Sequence, residues 1–200
     1  GDIADTLSHV GRALERTRDT LGDERALIGF GGSPWTLATY MVEGGSAKHK
    51  RHTKTMFYRD PELFERLLEM VTGALVDYFA MQAEAGVDAI QIFDSWGGAL
   101  SPEAFEGASV RWIRRLVDEL HTSHPDLPVI VFAKGMHHLD DVLASTGADV
   151  HGVDWTARLD EVHDRLPDGV AVQGNLDPTL LSTTPEIVEA ETRKILESMR

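Results

Sequence analysis

GVDAIQIFDSW (residues 86–96) and the shorter GADVHGVDW (residues 147–155) repeat one pattern within the chain. In each copy a glycine ends a helical segment, an aspartate follows two residues later, and a short apolar run leads to a second aspartate. Glycine is typical of a helix C-terminus, and a short apolar run between turn residues predicts a strand buried on both faces. The pattern therefore indicates repeated strand–helix modules.

Five such runs occur along the chain, at residues 26–31, 88–94, 128–134, 148–154 and 170–175. The segments between them have helical periodicity. Asp60-Pro61-Glu62, Ser101-Pro102-Glu103 and Thr184-Pro185-Glu186 each offer a side-chain N-cap, a proline at the first helical position and an acid near the positive helix end. Strands that alternate with helices in this way predict a parallel sheet.

The pattern leaves the architecture of that sheet open, since both an open doubly wound sheet and a (βα)8 barrel are built from these modules. A barrel needs eight strands, and the sequence predicts five. The chain begins without methionine on an amphipathic helical pattern and stops at the end of another. We therefore expect residues 1–200 to be one domain that forms the central portion of a longer protein.

The amino-acid composition argues against several kinds of partner and excludes several kinds of site. The formal net charge is −14, from 19 Lys and Arg against 33 Asp and Glu, which argues against partners such as nucleic acid or anionic membranes. The chain has no cysteine, so disulfides, thiolate nucleophiles and Cys-ligated metal are excluded from it. Without a signal pattern or an apolar run of membrane-spanning length, we expect a soluble, cytoplasmic protein.

In either architecture the functional side chains follow the carboxyl ends of the strands. After the first strand comes GFGGSPWTLATYMVEGG, residues 29–45. It lacks the spacing of a phosphate-binding loop. Its first glycines are expected to let the backbone approach a ligand closely, while Ser33-Pro34 starts a short helix and Gly44-Gly45 ends it. Tyr40 lies about two turns into that helix, and the competing interpretation is that it only packs.

After the second strand, alternation places Gln91, Phe93 and Ser95 on one face and Asp94 on the other. Ser95 then points into any pocket as a hydrogen-bond donor, since no base is recognisable beside it. Asp94 is either a site residue or a loop anchor.

Two further possibilities concern Lys134 and the histidines. Lys134 ends the third strand, where it could form a Schiff base as in aldolase-type barrels or lie as an ordinary loop lysine. The nine histidines show no ligand spacing such as HExxH, and the neighbours His137 and His138 are expected to point apart, so the sequence predicts no metal site. The cationic stretch 48–54 (KHKRHTK) could attract an anionic substrate or a partner.

Taken together, GFGGSPWTLATYMVEGG, QIFDSWGGALSP, VFAKG, GVDWT and VQGNLDP resemble the internal blocks of the uroporphyrinogen decarboxylase family, from about residue 26 onward. The resemblance implies a (βα)8 TIM barrel of which this chain covers strands three to seven, and a homodimeric enzyme that needs no cofactor or metal. The implied reaction is a decarboxylation that converts the four acetate side chains of uroporphyrinogen to methyl groups, giving coproporphyrinogen in haem and tetrapyrrole biosynthesis.

By the same resemblance, Tyr40 and Ser95 match substrate-binding positions, and Phe93 is a candidate pocket wall beside them. Two alternatives stay open. One is a corrinoid-dependent methyltransferase-like barrel, and the other is a fragment that is inactive because it lacks the catalytic residues.

The residues on which catalysis in this family depends match nothing in the chain. The resemblance implies that the family's arginine motif and its pyrrole-binding aspartate lie before Gly1, and that its late histidine follows Arg200. We therefore assign no catalytic residue within residues 1–200.

Overall fold

The computed structural model describes residues 3–45 and 49–199. Within them, five parallel strands form one sheet in the order β1-β2-β3-β4-β5. The strands are β1 (Ile28–Gly32), β2 (Ala89–Asp94), β3 (Val129–Ala133), β4 (Val150–Gly152) and β5 (Ala171–Gln173). Each overlaps one of the five apolar runs of the sequence, so the predicted parallel sheet is confirmed.

The family's arginine motif and aspartate are expected before Gly1, and its late histidine is expected after Arg200. Gly1 and Arg200 themselves lie outside the described residues. The structure therefore does not test the prediction that the family's aspartate and arginine motif precede Gly1. That prediction stays a prediction, as does the position of the late histidine after Arg200.

Helices connect the strands. The α-helices of the described residues are α1 (Ile3–Thr6), α2 (Ser8–Leu21), α3 (Pro34–Glu43), α4 (Arg51–Arg59), α5 (Pro61–Glu84), α6 (Pro102–Phe105), α7 (Arg111–Ser123), α8 (Asp140–Ala144), α9 (Leu159–His163) and α10 (Pro185–Ser198). A π-helical turn, Glu106–Val110, joins α6 to α7. None of the described helices is both long and apolar enough to cross a bilayer.

Two of the three predicted N-caps form. The Asp60 carboxylate accepts a hydrogen bond from Leu63 N at the start of α5, and Ser101 Oγ accepts one from Ala104 N at the start of α6. The prediction for Thr184 is wrong, because its side chain accepts no backbone N–H at the start of α10. The Thr184 hydroxyl instead hydrogen-bonds Glu186, which lowers the pKa of that carboxyl.

The aspartates that open two of the repeated modules hold neighbouring strands in register. Asp88 Oδ2 accepts a hydrogen bond from Leu27 N at 2.6 Å, and Asp149 Oδ2 accepts one from Val129 N at 2.8 Å. The bond from Leu27 and the nearby Arg18 guanidinium hold the pKa of Asp88 below its usual range. Each carboxylate therefore ties the start of its strand to the start of the preceding strand.

The two faces of the sheet have different surroundings. Ile92 pairs in register with Val131, which pairs with His151, so these three side chains point to the same face. All three are buried, together with Phe79 of α5, in the layer between the sheet and the helices. The opposite, inner face carries the alternate residues and is the one expected to meet a ligand.

The sheet is strongly curved toward that inner face. Gln91 Nε2 donates a hydrogen bond to Gln173 Oε1 at 3.2 Å. Gln91 lies on β2 and Gln173 on β5, three strands apart, which is about 14 Å in a flat sheet. The two amides can meet only if the sheet bends around them, as it does in a (βα)8 barrel. The chain therefore forms five βα units of such a barrel.

The glycines of β1 have a different role from the expected one. A Cβ atom built on Gly31 would lie 2.8 Å from Cζ of the buried Phe79, and one on Gly29 would lie 2.6 Å from Gln82 Oε1. Both glycines thus allow β1 to approach α5 closely. The structure shows a close approach to a helix at these two positions, and an approach of the backbone to a ligand stays a prediction.

We expect Gly31→Ala to destabilise the protein by about 1–3 kcal/mol, because the added methyl group overpacks a buried ring that cannot move away. Urea denaturation of the intact protein measures this change. The matched control is Gly73→Ala in the middle of α5, where a Cβ atom meets nothing within 4 Å. That substitution should stabilise by about 0.5–1 kcal/mol, and equal effects at the two positions would contradict the packing argument.

Candidate functional site

Tyr40 is carried to the carboxyl edge of the sheet by α3. The helix begins as the sequence predicted, with Ser33 Oγ accepting a hydrogen bond from Thr36 N at 3.1 Å. It ends at Gly44, which adopts a left-handed conformation (φ 69°) and donates its N–H to Tyr40 O. Tyr40 therefore occupies the last turn of a helix with both ends defined.

Asp94, the last residue of β2, anchors the first turn of α3. Its Oδ1 atom accepts hydrogen bonds from Ser33 Oγ at 3.0 Å and Thr36 Oγ1 at 2.9 Å, and its Oδ2 atom accepts one from Ser109 Oγ at 2.5 Å. Burial raises the pKa of this carboxyl, although the hydroxyl donors oppose the shift. Of the two interpretations left open by the sequence, the structure supports an anchor.

Trp96 supports Tyr40 from the loop after β2. The two rings meet edge to face, with centroids 6.1 Å apart. The carbonyl of Trp96 accepts a hydrogen bond from Nε1 of the fully buried Trp35 at 3.0 Å. The Lys50 ammonium lies 3.2 Å from the Trp96 ring centroid, and it finds no hydrogen-bond acceptor in the part of the chain that the structure describes. Burial lowers the pKa of Lys50, while Glu43 opposes this.

Three phenylalanine rings form a wall on the inner face. Phe93 of β2 contacts Phe30 of β1 and Phe132 of β3 edge to face, with centroid distances of 6.1 and 5.9 Å. A Cβ atom on Gly152 of β4 would lie 2.9 Å from Phe132 Cβ, so this glycine leaves room for the ring. Phe30 is 63% exposed. The wall therefore presents aromatic surface to the concave side of the sheet.

The structure brings the predicted site residues to one edge of the sheet. Tyr40 is 42% exposed, Ser95 is half-buried in the turn directly after β2, and Phe93 is the last inward-facing residue of that strand. Their part in binding a substrate stays a prediction. Phe30 and Phe132 were missed, although the alternation that singled out Phe93 applies equally to Phe132 in VFAKG.

Chemically, this edge combines an aromatic surface with two hydroxyl groups. Aromatic rings bind flat apolar groups, and the hydroxyls of Tyr40 and Ser95 can donate hydrogen bonds to carboxylates. The arrangement suits binding and orientation of a large, partly aromatic, anionic ligand.

The other cationic side chains that the sequence singled out are Lys134 and those of the stretch 48–54. Lys134 is exposed, with its Nζ atom 5.6 Å from the Trp155 ring centroid, and it lacks the buried environment of an imine-forming lysine. Of the cationic stretch 48–54, Lys48 lies outside the described residues. Lys54 is half-buried and donates a hydrogen bond to Ala99 O at 2.7 Å, so it supports the loop after β2.

A second polar cluster lies on the helix-facing side of the sheet. His151 Nε2 is 3.0 Å from Asp140 Oδ1, and Arg165 donates a hydrogen bond to Asp140 Oδ2 at 2.6 Å. His137 Nε2 is 3.0 Å from Asp154 Oδ1. Burial opposes ionisation of Asp140, but the neighbouring His137 and His151 imidazoles and the Arg165 guanidinium hold its pKa well below the usual range.

Sequence reasoning missed this cluster, because its members come from a loop, a short helix and a strand. One signal was available, namely a histidine in the middle of the predicted strand ADVHGVD, between two valines and a glycine. His137 and His138 do point apart as expected, since the His137 side chain lies in this cluster and His138 is exposed to solvent.

Comparisons with known proteins give a consistent result. A family profile described as "Uroporphyrinogen decarboxylase (URO-D)" matches residues 1–200. The uroporphyrinogen decarboxylase of Alkalilimnicola ehrlichii is 46% identical over 98% of this chain and 54% of its own length. The corresponding protein of Chloroherpeton thalassium is 42% identical over 98% of this chain and 55% of its own. The chain thus spans about half the length of these relatives.

Among solved structures, a methyltransferase from Methanosarcina mazei superposes with a TM-score of 0.83 over 94% of this chain and 55% of its own, at 19% identity. At that identity the likeness shows the fold alone. The curated relatives support the decarboxylase interpretation and not the methyltransferase alternative.

We expect Asp94→Ala to destabilise the intact protein by about 3 kcal/mol or more, because it leaves three buried hydroxyl groups without their acceptor. Asp94→Asn is the matched control, since its amide oxygen still accepts the bonds of Ser33 and Thr36. Chemical denaturation gives the free energies of unfolding. If alanine were tolerated as well as asparagine, Asp94 would not be the anchor of α3.

Proposed function

Since the chain belongs to the uroporphyrinogen decarboxylase family, we propose that it forms one side of the active site of an enzyme that converts uroporphyrinogen to coproporphyrinogen. The enzyme is a carboxy-lyase of haem and tetrapyrrole biosynthesis, and it replaces the four acetate side chains of its substrate by methyl groups. The observation that carries the proposal is the aromatic wall on the inner face, with Tyr40 and Ser95 at its carboxyl edge.

The wall suits the substrate's apolar framework. A tetrapyrrole in its reduced form has separate pyrrole rings joined by methylene bridges, and the rings of Phe30, Phe93 and Phe132 offer surfaces against which pyrrole faces can pack. Gln91 and Gln173 lie deeper on the same face, where their amides bond to each other. The substrate therefore rests on apolar side chains and meets hydroxyl groups only at the edge.

In the proposed reaction, the hydroxyl groups and the phenylalanine wall bind and orient the substrate. Each decarboxylation begins when the pyrrole that carries the acetate is protonated on a ring carbon. This ring accepts the electron pair of the breaking C–C bond as CO2 leaves, so the reaction as proposed needs no cofactor. A proton then reaches the methylene carbon to give the methyl group, and the ring carbon loses the proton that it gained in the first step, which restores the aromatic pyrrole. Tyr40 and Ser95 fix the position of a substrate carboxylate, and the phenylalanines exclude water from the reacting ring.

The substrate is polyanionic, whereas this chain carries a net charge of −14. We propose that family arginines before Gly1 supply the compensating positive charge, together with the aspartate that holds the pyrrole N–H groups. On this proposal the 200-residue chain by itself is inactive. The complete enzyme is proposed to be a cytoplasmic homodimer, which size-exclusion chromatography with light scattering can test.

The intact protein, incubated with uroporphyrinogen under reducing and anaerobic conditions, should yield coproporphyrinogen and CO2. Chromatography of the oxidised porphyrins resolves the product from intermediates with fewer carboxylates lost. The 200-residue chain, assayed alongside, should give no product above the uncatalysed background. Absence of product from the intact protein would refute the proposed function.

Tyr40→Phe should lower kcat/KM for uroporphyrinogen about tenfold or more, because it removes one hydrogen bond to a charged group, worth about 1.5–3 kcal/mol. Tyr58→Phe is the control, since Tyr58 is a second exposed tyrosine, on α4, that packs against Phe57. Steady-state kinetics and thermal unfolding should show lost activity without lost stability for Tyr40→Phe alone. Unchanged kinetics would show that the Tyr40 hydroxyl does not meet the substrate.

A further inference from the structure

His137, Asp140 and His151 converge from three separate elements on the helix-facing side of the sheet. His137 lies in the connection after β3, Asp140 begins α8, and His151 is the middle residue of β4. One ligand atom of each residue lies within 4.8 Å of the others. Asp140 and His151 are 3% exposed, and the His137 side chain is 11% exposed. The decarboxylase site proposed above uses none of the three.

The tautomer of His137 leaves a free lone pair in this cluster. Its Nε2 atom is 3.0 Å from Asp154 Oδ1 and 3.4 Å from Asp154 N. We place the ring hydrogen on Nε2, where it is directed at the nearer carboxylate oxygen. The other ring nitrogen, Nδ1, is buried without a hydrogen-bond partner among the described residues. It faces Asp140 Oδ1 at 3.6 Å, which is too long for a hydrogen bond. A nitrogen lone pair and a carboxylate oxygen that face each other in a buried place are stabilised by a cation between them.

The spacing of the three ligand atoms is close to that of a tetrahedral site, and their chemistry favours one cation in particular. In a tetrahedral zinc site with ligands at 2.0–2.2 Å, neighbouring ligand atoms are about 3.3–3.6 Å apart. Here His137 Nδ1 is 3.6 Å from Asp140 Oδ1, within that range. His151 Nε2 is 3.0 Å from the same oxygen, which is a hydrogen-bond distance, so these two atoms must separate by about 0.3 Å when an ion replaces the proton between them. Two imidazoles with one carboxylate are a donor set that zinc prefers over magnesium or calcium, which select oxygen ligands.

The surrounding groups orient these ligands. Asp154 holds His137 by its outer nitrogen, and Asp154 itself accepts hydrogen bonds from Gly135 N at 2.8 Å and Thr156 N at 2.8 Å. Metal-binding histidines commonly donate their other N–H to a carboxylate in this way. On the far side of the cluster, the Arg165 guanidinium bonds to one oxygen of the central carboxylate and leaves Oδ1 directed at the two histidines.

A cleft gives access to the cluster from solvent. Its volume is about 550 Å³, and it is lined by His137, His138, Asp140, Asp141 and Arg165. Three protein ligands leave the fourth position of a tetrahedral site open, and a water molecule from this cleft can fill it. The cleft also provides the path by which an ion enters.

From this geometry we propose that the protein binds one zinc ion through His137 Nδ1, Asp140 Oδ1 and His151 Nε2. By binding all three ligands, the ion links the connection after β3 and the start of α8 to β4. It lies on the face of the sheet opposite the phenylalanine wall, so its role is structural, and the decarboxylation chemistry proceeds on the other side. The proposal is independent of the proposed function.

The test uses the intact protein, freed of metal with a chelator and dialysed at mildly alkaline pH so that protons do not occupy the imidazoles. Titration with zinc against a competing fluorescent chelator, with elemental analysis, should show one equivalent that the double variant Asp140→Leu/His151→Leu lacks. Asp154→Asn should weaken this zinc binding about 10–100-fold, because it keeps all three ligands but loosens His137. Equal zinc binding by the wild type and the double variant would overturn the proposal.

Two controls address loss of folding and nonspecific binding. His121 also lies beside an aspartate, with Nε2 2.9 Å from Asp149 Oδ2, but the described part of the chain offers no third ligand there. The variant His121→Leu should therefore bind zinc as the wild type does. If the double variant fails to fold by circular dichroism, cobalt provides a second measurement. Cobalt in the wild type should give the visible absorption of a tetrahedral site, and Asp154→Asn should weaken its binding too. Octahedral spectra in the wild type would also overturn the proposal.

Discussion

The buried carboxylate of Asp94 determines how the rest of this structure is arranged. It lies at the end of a central strand, where it gathers the hydroxyls of Ser33, Thr36 and Ser109. Two of these belong to the first turn of α3, and the third belongs to the π-helical turn before α7. A buried carboxylate is tolerated only where hydrogen-bond donors surround it. The end of β2, the start of α3 and the π-helical turn must therefore pack together. The position of the first turn of α3 in turn determines the position of Tyr40.

Alternation along the strands separates the structural residues from the candidate substrate-binding residues. On β2, Ile90, Ile92 and Asp94 point to the helices, whereas Gln91 and Phe93 point inward. The helix-facing side chains hold the layers together. The inward side chains mainly contact one another, and the ring that β1 contributes to the wall is largely exposed. Substitutions on the two faces of one strand should therefore affect different properties, stability on the outer face and ligand binding on the inner face.

Features that depend on short stretches of sequence could be predicted, and features that join distant stretches could not. The five strands, the caps at Asp60 and Ser101 and the start of α3 follow from residues within a few positions of each other. Thr184 has the same local pattern as Ser101, and both hydroxyls hydrogen-bond to the carboxylate two residues later, yet only Ser101 also caps its helix. The barrel curvature is shown by the contact between Gln91 and Gln173, which are 82 residues apart, and no local pattern indicates such a contact.

Contacts between distant stretches of sequence could not be predicted, and for this reason the candidate site was found only in part and the histidine cluster was missed. Tyr40 and Ser95 were identified through family blocks, and Phe93 through alternation beside them. His151 carried a signal of its own, because an imidazole in a buried strand needs a polar partner. Which partner it has depends on where α8 packs, and the sequence does not state this. A buried histidine within an apolar run is thus evidence for a polar cluster, whose remaining members only a three-dimensional structure can identify.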